Sequence, residues 1–244
     1  MFQVVNNKIF ITRGQSAVYS REVRRNDNKK SPYIIYDGSD RDSDGNITSF
    51  RRPKLYFIVK RNIYSKEKTL FYSAEIIPDT VTEAYINEGA DDFSSAWLID
   101  KDENVIEPKK NDLFIVLSKG DYLKNIFRFD GSVYVRDFSF IPIFNSQNIV
   151  DYEEGETTPE NGILYRKIAN GIPYYQYYDK VGSEWKDYQF TIKVTIPSEA
   201  TMNINPGTYY YEISIVHTNP DKTIFYKDVL LEPTEFIIGG TNSD

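Results

Sequence analysis

Three aspartates, Asp40, Asp42 and Asp44, alternate through the stretch DGSDRDSDGNITSF (residues 37–50) and are followed by Gly45. Carboxylates at the first, third and fifth positions with glycine at the sixth are how a calcium-binding loop begins. Counted from Asp40, the eighth position is Ile47, as such a loop requires. The twelfth, which needs a bidentate glutamate, is Arg51, with Arg52 beside it. A cation there opposes calcium, and no helical pattern flanks the segment. Short polar residues before a glycine also make a plain turn. The stretch therefore reads as an exposed turn, with Asp40, Asp42 and Asp44 as the metal-ligand candidates and no metal or other cofactor expected.

Nucleophilic catalysis has little to draw on. The chain has no cysteine and one histidine, His217, which closes the strand pattern 208–217 just before a turn. A Ser-His-Asp set would have to use it, and no nucleophile-elbow glycine pattern is present. The expectation is a strand-end histidine beside solvent. A zinc site of His and Cys is excluded by count, and no Walker or dinucleotide glycine pattern occurs. The 36 acids offer carboxylate pairs in general but mark none in particular. The chain reads as a non-enzyme.

Binding surfaces are the remaining chemistry. The run YYQYYD (174–179) supplies Tyr174, Tyr175, Tyr177 and Tyr178, and YYYE follows at 209–212. Alternate tyrosines on a strand pack against an opposite sheet or an interface, or else form stacking platforms for sugar rings. The basic stretch 21–30 contains Arg24, Arg25, Lys29 and Lys30, and Arg51, Arg52 and Lys54 add to it. Between them in sequence lie the aspartates. These loops either neutralise each other in solvent or present complementary surfaces to neighbouring copies. The interface candidates are therefore Arg24, Arg25, Lys29, Lys30, Arg51, Arg52 and the four tyrosines.

The elements that must hold these residues are strands. The 244-residue chain has 40% hydrophobic residues, with 20 Tyr and 15 Phe, enough for a sizeable core. FTIKVTIP puts Ile192, Val194 and Ile196 on one face; GTYYYEISIV does the same with Tyr209, Tyr211, Ile213 and Ile215. KLYFIVK is apolar on both faces, as a covered central strand would be. Further strands are expected at 8–12, 15–23, 32–36, 69–77, 95–100, 112–118, 126–129, 132–144, 163–168, 174–178 and 222–231. Turn residues fall between them. Only DTVTEAYINEG (79–89) reads as a helix, with Asp79 or Thr80 as cap and Gly89 as stop. The acidic stretch 151–162 reads as a surface loop. No run approaches the roughly 18 apolar residues of a membrane helix, and the opening MFQVVNNKIFITRG shows no secretory pattern. A net charge of −7 and the absence of cysteine fit a protein made in a reducing cytoplasm and not a general nucleic-acid binder. The expected fold is all-β: a β-sandwich of 1–77 plus 187–244, with an inserted, mainly β subdomain at 78–186 and little helix.

Three stretches carry a resemblance. KIFITRGQSAVYSREV near the start is similar to the opening of the N-terminal domain of bacteriophage baseplate upper proteins, a strand followed by Arg-Gly, a small polar residue and a second strand. INPGTYYYEISIVHTNPDKTIFYKDVLLEPTEFIIGG resembles the closing hairpin of that family, and RRPKLYFIVKRN its central strand. The resemblance implies a β-sandwich adaptor in the virion, synthesised in the host cytoplasm and placed in a tail, neck or baseplate. Its partners would be other copies of itself in a symmetric ring and neighbouring virion proteins. The alternatives are a carbohydrate-binding adhesin or receptor-binding module and, below it, a glycoside hydrolase.

Overall fold

Period-two alternation and a wealth of β-branched and aromatic residues put nearly half of the chain into strands. The computed structural model describes residues 2–25 and 30–240. The first third forms β1 (Phe2–Val5), β2 (Lys8–Thr12), β3 (Ala17–Glu22), β4 (Asp40–Arg41), β5 (Ile47–Ser49), β6 (Arg52–Lys60) and β7 (Leu70–Glu75). The middle forms β8 (Thr82–Ile86), β9 (Leu98–Ile99), β10 (Leu113–Val116), β11 (Ile126–Phe129), β12 (Tyr134–Arg136), β13 (Ile149–Asp151), β14 (Leu164–Ala169), β15 (Ile172–Asp179) and β16 (Glu184–Asp187). The chain then adds β17 (Thr191–Ile196), the short helix α1 (Ser198–Met202), β18 (Gly207–Thr218) and β19 (Ile224–Gly239). The protein is all-β, in a sandwich-like arrangement. Among the described residues, no helix is long and apolar enough to cross a membrane.

The largest sheet runs β1-β2-β19-β18-β6-β7. Its middle strand β18 turns Tyr211, Ile213 and Ile215 inward, all buried, as the alternation requires. Against this face lies the two-stranded sheet β3–β17, whose Tyr19 ring stands 5.9 Å from Tyr211 and 6.1 Å from Phe57. Ile192, Val194 and Ile196 of β17 are buried in the same core, as read from their spacing. β6 is covered as its two-sided apolar pattern predicts, with Leu55, Phe57, Ile58 and Val59 all buried.

Strands from residues 78–186 pair only among themselves. They make a five-stranded sheet, β12-β11-β10-β8-β9, and a four-stranded sheet, β13-β14-β15-β16. The five-stranded sheet is apolar on both faces. Phe114, Val116, Phe127 and Phe129 enclose Trp97 on one side. Ile115, Leu117 and Ile126 join the core of the large sandwich on the other. That core therefore runs without a break from the sandwich into the middle segment.

Four sequence expectations need correction. Residues 79–89 are not helical: Thr82–Ile86 is a strand, pairing in parallel with β10, and Ala84 is buried against the Trp97 core. Thr, Tyr and Ile there gain more from a half-buried pleat than from a single isolated helical turn. Among the described residues the one helix lies instead at Ser198–Met202, directly after Pro197. The stretch 32–36 forms isolated bridges rather than a strand. The expected strand 132–144 contracts to Tyr134–Arg136, and 222–231 grows to Ile224–Gly239.

The centre of β18 gives a direct test of this core. Ile213 is 1% exposed, so Ile213→Ala removes buried methylene and methyl groups with little room to collapse. The expected cost is about 2–5 kcal/mol, read as a lower urea midpoint at unchanged slope. An unchanged midpoint would place Ile213 outside the core and overturn the register.

Candidate functional site

The aspartate stretch is the turn of the β4–β5 hairpin. Asp42 accepts the backbone N–H groups of Asp44 (3.0 Å) and Asn46 (2.9 Å) and the Asn46 side-chain amide (3.1 Å). The Asn46 side chain and these backbone groups hold the Asp42 carboxyl below its ordinary range. Gly45, at φ +90°, takes the left-handed step that closes the turn. Asp40 pairs with Arg51 at 2.7 Å, so the residue in the twelfth position neutralises the one in the first. Among the described residues, no three His, Cys, Asp or Glu side chains are placed to hold a metal ion. The same Asp-x-Asp-x-Asn pattern recurs at 100–104, where Asp100 accepts from the N–H groups of Asp102 (2.8 Å) and Asn104 (2.9 Å). The spacing is thus that of a side-chain-capped turn, used twice.

Arg51 and Arg52 are not surface residues awaiting a partner. Arg51 is buried. It donates to the Gly38 carbonyl and, at 3.1 Å, to the Asn219 side chain, and its guanidinium lies 3.8 Å above the Phe225 ring. Arg52 donates to the carbonyls of Pro78 and Val81, both at 2.7 Å, and to Glu83 at 3.2 Å. A planar fork of five donors suits such internal bracing. These two are thereby corrected from interface candidates to internal braces: Arg51 ties the 38–40 segment to Asn219 and Phe225 within the sandwich, and Arg52 ties the sandwich to the middle segment. Lys54 is taken up by Glu75 at 2.9 Å.

The other basic group stays near the surface. Arg24 donates to Glu22 at 3.1 Å, and Arg25 to the Gln147 carbonyl at 2.8 Å. Together with Tyr33, Ile34, Asp228 and Leu230 they rim a small cavity of about 190 Å³. Lys30 is exposed, and Lys29 lies outside the described residues.

The tyrosine run forms β15, and its members point alternately to the two faces of the four-stranded sheet. Tyr175 meets the Ser31 hydroxyl at 3.1 Å and Tyr177 packs edge-on to Phe144 at 5.9 Å, both toward the sandwich. Burial raises the Tyr177 hydroxyl above its ordinary value. On the opposite face, Tyr178 lies edge-on to Trp185 at 5.2 Å. Trp185 also meets Tyr152 (4.8 Å) and Tyr165 (5.5 Å) and carries the Lys167 ammonium at 3.1 Å. These rings cover one another edge to face, as a small core does. Tyr174 remains exposed near the tip of the hairpin, where Asn170 and Gly171 (φ 52° and 77°) make the tight turn. In the second aromatic run, Tyr211 is core and the Tyr209 hydroxyl donates to the Asn205 carbonyl at 2.8 Å.

His217 differs from expectation. It is 2% exposed, between the rings of Tyr36 (5.4 Å) and Tyr226 (5.9 Å), and neither of its nitrogens has a well-formed protein hydrogen bond. The 12-residue β18 carries it under the 31–38 segment rather than out to a rim. Burial pulls its pKa down to about 4, against the small upward pulls of the Arg51 backbone and Asp37. Lowered this far and held between two rings, the imidazole is a weak base turned away from solvent.

Sequence reasoning missed two buried ion pairs, Lys124 with Asp37 at 3.4 Å and Arg136 with the fully buried Asp179. Both join residues far apart in the chain, so no local pattern announces them. Compared with protein-family models, with curated proteins and with solved structures, the chain finds no significant match.

Two tests follow from these placements. Because Arg51 occupies the carboxylate of Asp40, millimolar calcium is expected to leave the melting temperature unchanged. A rise of several degrees would overturn the turn reading, since a ligand of the folded state must stabilise it. For His217, the folded pKa is depressed, so its stability contribution is complete above pH 6.5 and is lost as pH falls toward 4. At about 1.4 kcal/mol per pH unit, wild type should lose about 2–3 kcal/mol more than His217→Leu between pH 7 and pH 4.5. Equal losses in chemical denaturation would show that the buried imidazole does not resist protonation.

Proposed function

We propose that this chain is a non-enzymatic structural adaptor of a bacteriophage virion, in the tail, neck or baseplate, binding other copies of itself in a ring and neighbouring virion proteins. One observation carries the reading. The three stretches that resemble baseplate upper proteins are dispersed in sequence, yet four of their five strands, β2, β19, β18 and β6, lie consecutively in one sheet, and the fifth, β3, packs against it through Tyr19. β2 pairs with β19 from Ile9↔Phe236 to Thr12↔Gly239, and β18 pairs with the whole of β6, from Tyr210↔Lys60 to Thr218↔Arg52. Their closeness in space supports reading the three stretches together. The carbohydrate-binding alternative rests on tyrosines whose rings are mostly engaged with Trp185, Phe144 and the sandwich core.

The experiment is complementation of a phage that lacks this gene, followed by protein analysis of purified virions. The wild-type chain is expected in the particles in a fixed copy number; its absence would remove the structural reading. Arg24→Glu with Lys30→Glu should leave the melting temperature nearly unchanged, because exposed pairs such as Arg24–Glu22 contribute only about 0–1 kcal/mol. The same variant should be excluded from particles. Normal incorporation would take this loop out of the contact.

A further inference from the structure

The two outer strands of the six-stranded sheet, β1 and β7, leave that sheet unfinished in matching ways. Among the described residues, no strand pairs with the outer edge of either. Natural edge strands are normally blunted by charge, proline or a bulge. β1 is Phe-Gln-Val-Val, with no charge and no proline, and it pairs with β2 without a register shift. The one charge in β7, Glu75, is taken by Lys54, and its ladder with β6 is also regular.

The core face of the sheet also spills out at both edges. Phe2 and Val4 stand opposite Ile11 and Ile9, both core residues, so they lie on the buried face. Val4 is nevertheless 45% exposed. At the other edge, Leu70, Tyr72 and Ala74 stand opposite Val59, Phe57 and Leu55, also core. Leu70 is covered, Tyr72 only in part, and Ala74 is exposed. The outer face repeats the pattern: Val5 is exposed beside β2, and Phe71 is exposed and stacked on Tyr56 at 5.3 Å. Each edge thus offers a free row of backbone donors and acceptors flanked by apolar residues above and below.

Strand direction chooses how these edges meet. Crossing the sheet from β1 to β7 passes four antiparallel steps and one parallel step, β2 to β19, so β1 and β7 run the same way. A copy added to the β7 edge through its own β1, the same way up, therefore pairs in parallel and leaves its own β7 open for the next. That is a head-to-tail contact, which closes into a ring when the rotation allows. We infer that a second copy of this chain docks by strand addition, its β1 extending the sheet at β7, with Val4 and Phe2 completing the core face left open by Tyr72 and Ala74. This rests on the self-assembling adaptor reading and names the surface that performs it.

The chain has no cysteine, so thiols can be placed one at a time on the full-length protein. Gln3→Cys and Ser73→Cys put one on the outer face of each edge, at exposed positions. Treated with a short bis-maleimide at the highest soluble concentration, the double variant should give a ladder of dimers, trimers and larger species. A mixture of the two single variants should stop at dimers, and each single variant alone should stay monomeric. Val4→Lys in the double-cysteine background should abolish the ladder while leaving the melting curve in place. Dimers from one single variant alone would mean two-fold pairing of like edges and overturn the inference. So would a folded double variant that gives no ladder, or a ladder that survives Val4→Lys. Val5→Cys with Phe71→Cys provides a second pair on the same face should the first disturb folding. Virions that contain the protein but yield no cross-link from either pair would sink the edge contact and leave the adaptor reading standing.

Discussion

The carboxylate of Asp37 is where the separate sheets are tied to one another. It is almost fully buried, and two cations reach it: Arg41 at 2.8 Å and Lys124 at 3.4 Å. Asp37 belongs to the segment before β4, and Lys124 to the turn entering β11. The Lys124 ammonium also donates to Asn145 at 2.6 Å, and the Asn145 backbone N–H donates to Gly162 at 2.8 Å, on the approach to β14. One cluster therefore fixes the relative placement of the sandwich, the five-stranded sheet and the four-stranded sheet. Burial draws Lys124 down to about 8 even though Asp37 pulls the other way. Desolvation outweighs attraction there, as is usual for buried pairs, so the cluster specifies geometry more than it adds stability.

Around that tie, the apolar core does most of the stabilising. It passes from Tyr211 and Phe57 in the sandwich through Ile115 and Ile126 to Leu164 without a break. Arg52 reaches across the same junction to the carbonyls of Pro78 and Val81, while Arg51 braces the sandwich itself. The middle segment is an insertion in topology and part of one body in packing. Residues read from sequence as free surface charge are consumed in making that body.

Legibility in the sequence followed the range of the forces. Strands whose partners are adjacent, such as β14 with β15, were plain from alternation and an Asn-Gly turn. Strand character in β17, β18 and β6 was equally plain, because period-two patterns survive any choice of partner. The error at 79–89 came from a short segment whose pleat is decided by β10 and Trp97, far off in the chain. The site residues failed for the same reason. Nothing local tells that Arg51 folds back onto Asp40, that His217 lies under Tyr36, or that Asp37 waits for Lys124. The aspartate spacing was read correctly as a turn because its hydrogen bonds are made within five residues.

The pairing of β2 with β19 bears on how the protein is made. These strands lie more than two hundred residues apart and run in parallel, and β3 with β17 is nearly as distant. Loop closure on that scale must precede any reward from the contacts, which makes such topologies slow to fold. On the ribosome, the middle segment, with its local hairpins, can organise while β2 and β3 wait for strands not yet synthesised. The sandwich is completed only as β19 emerges. Until then β2, hairpinned to β1, presents the edge that β19 will cover, and the nascent chain passes through a period in which capture by another chain competes with closure on its own.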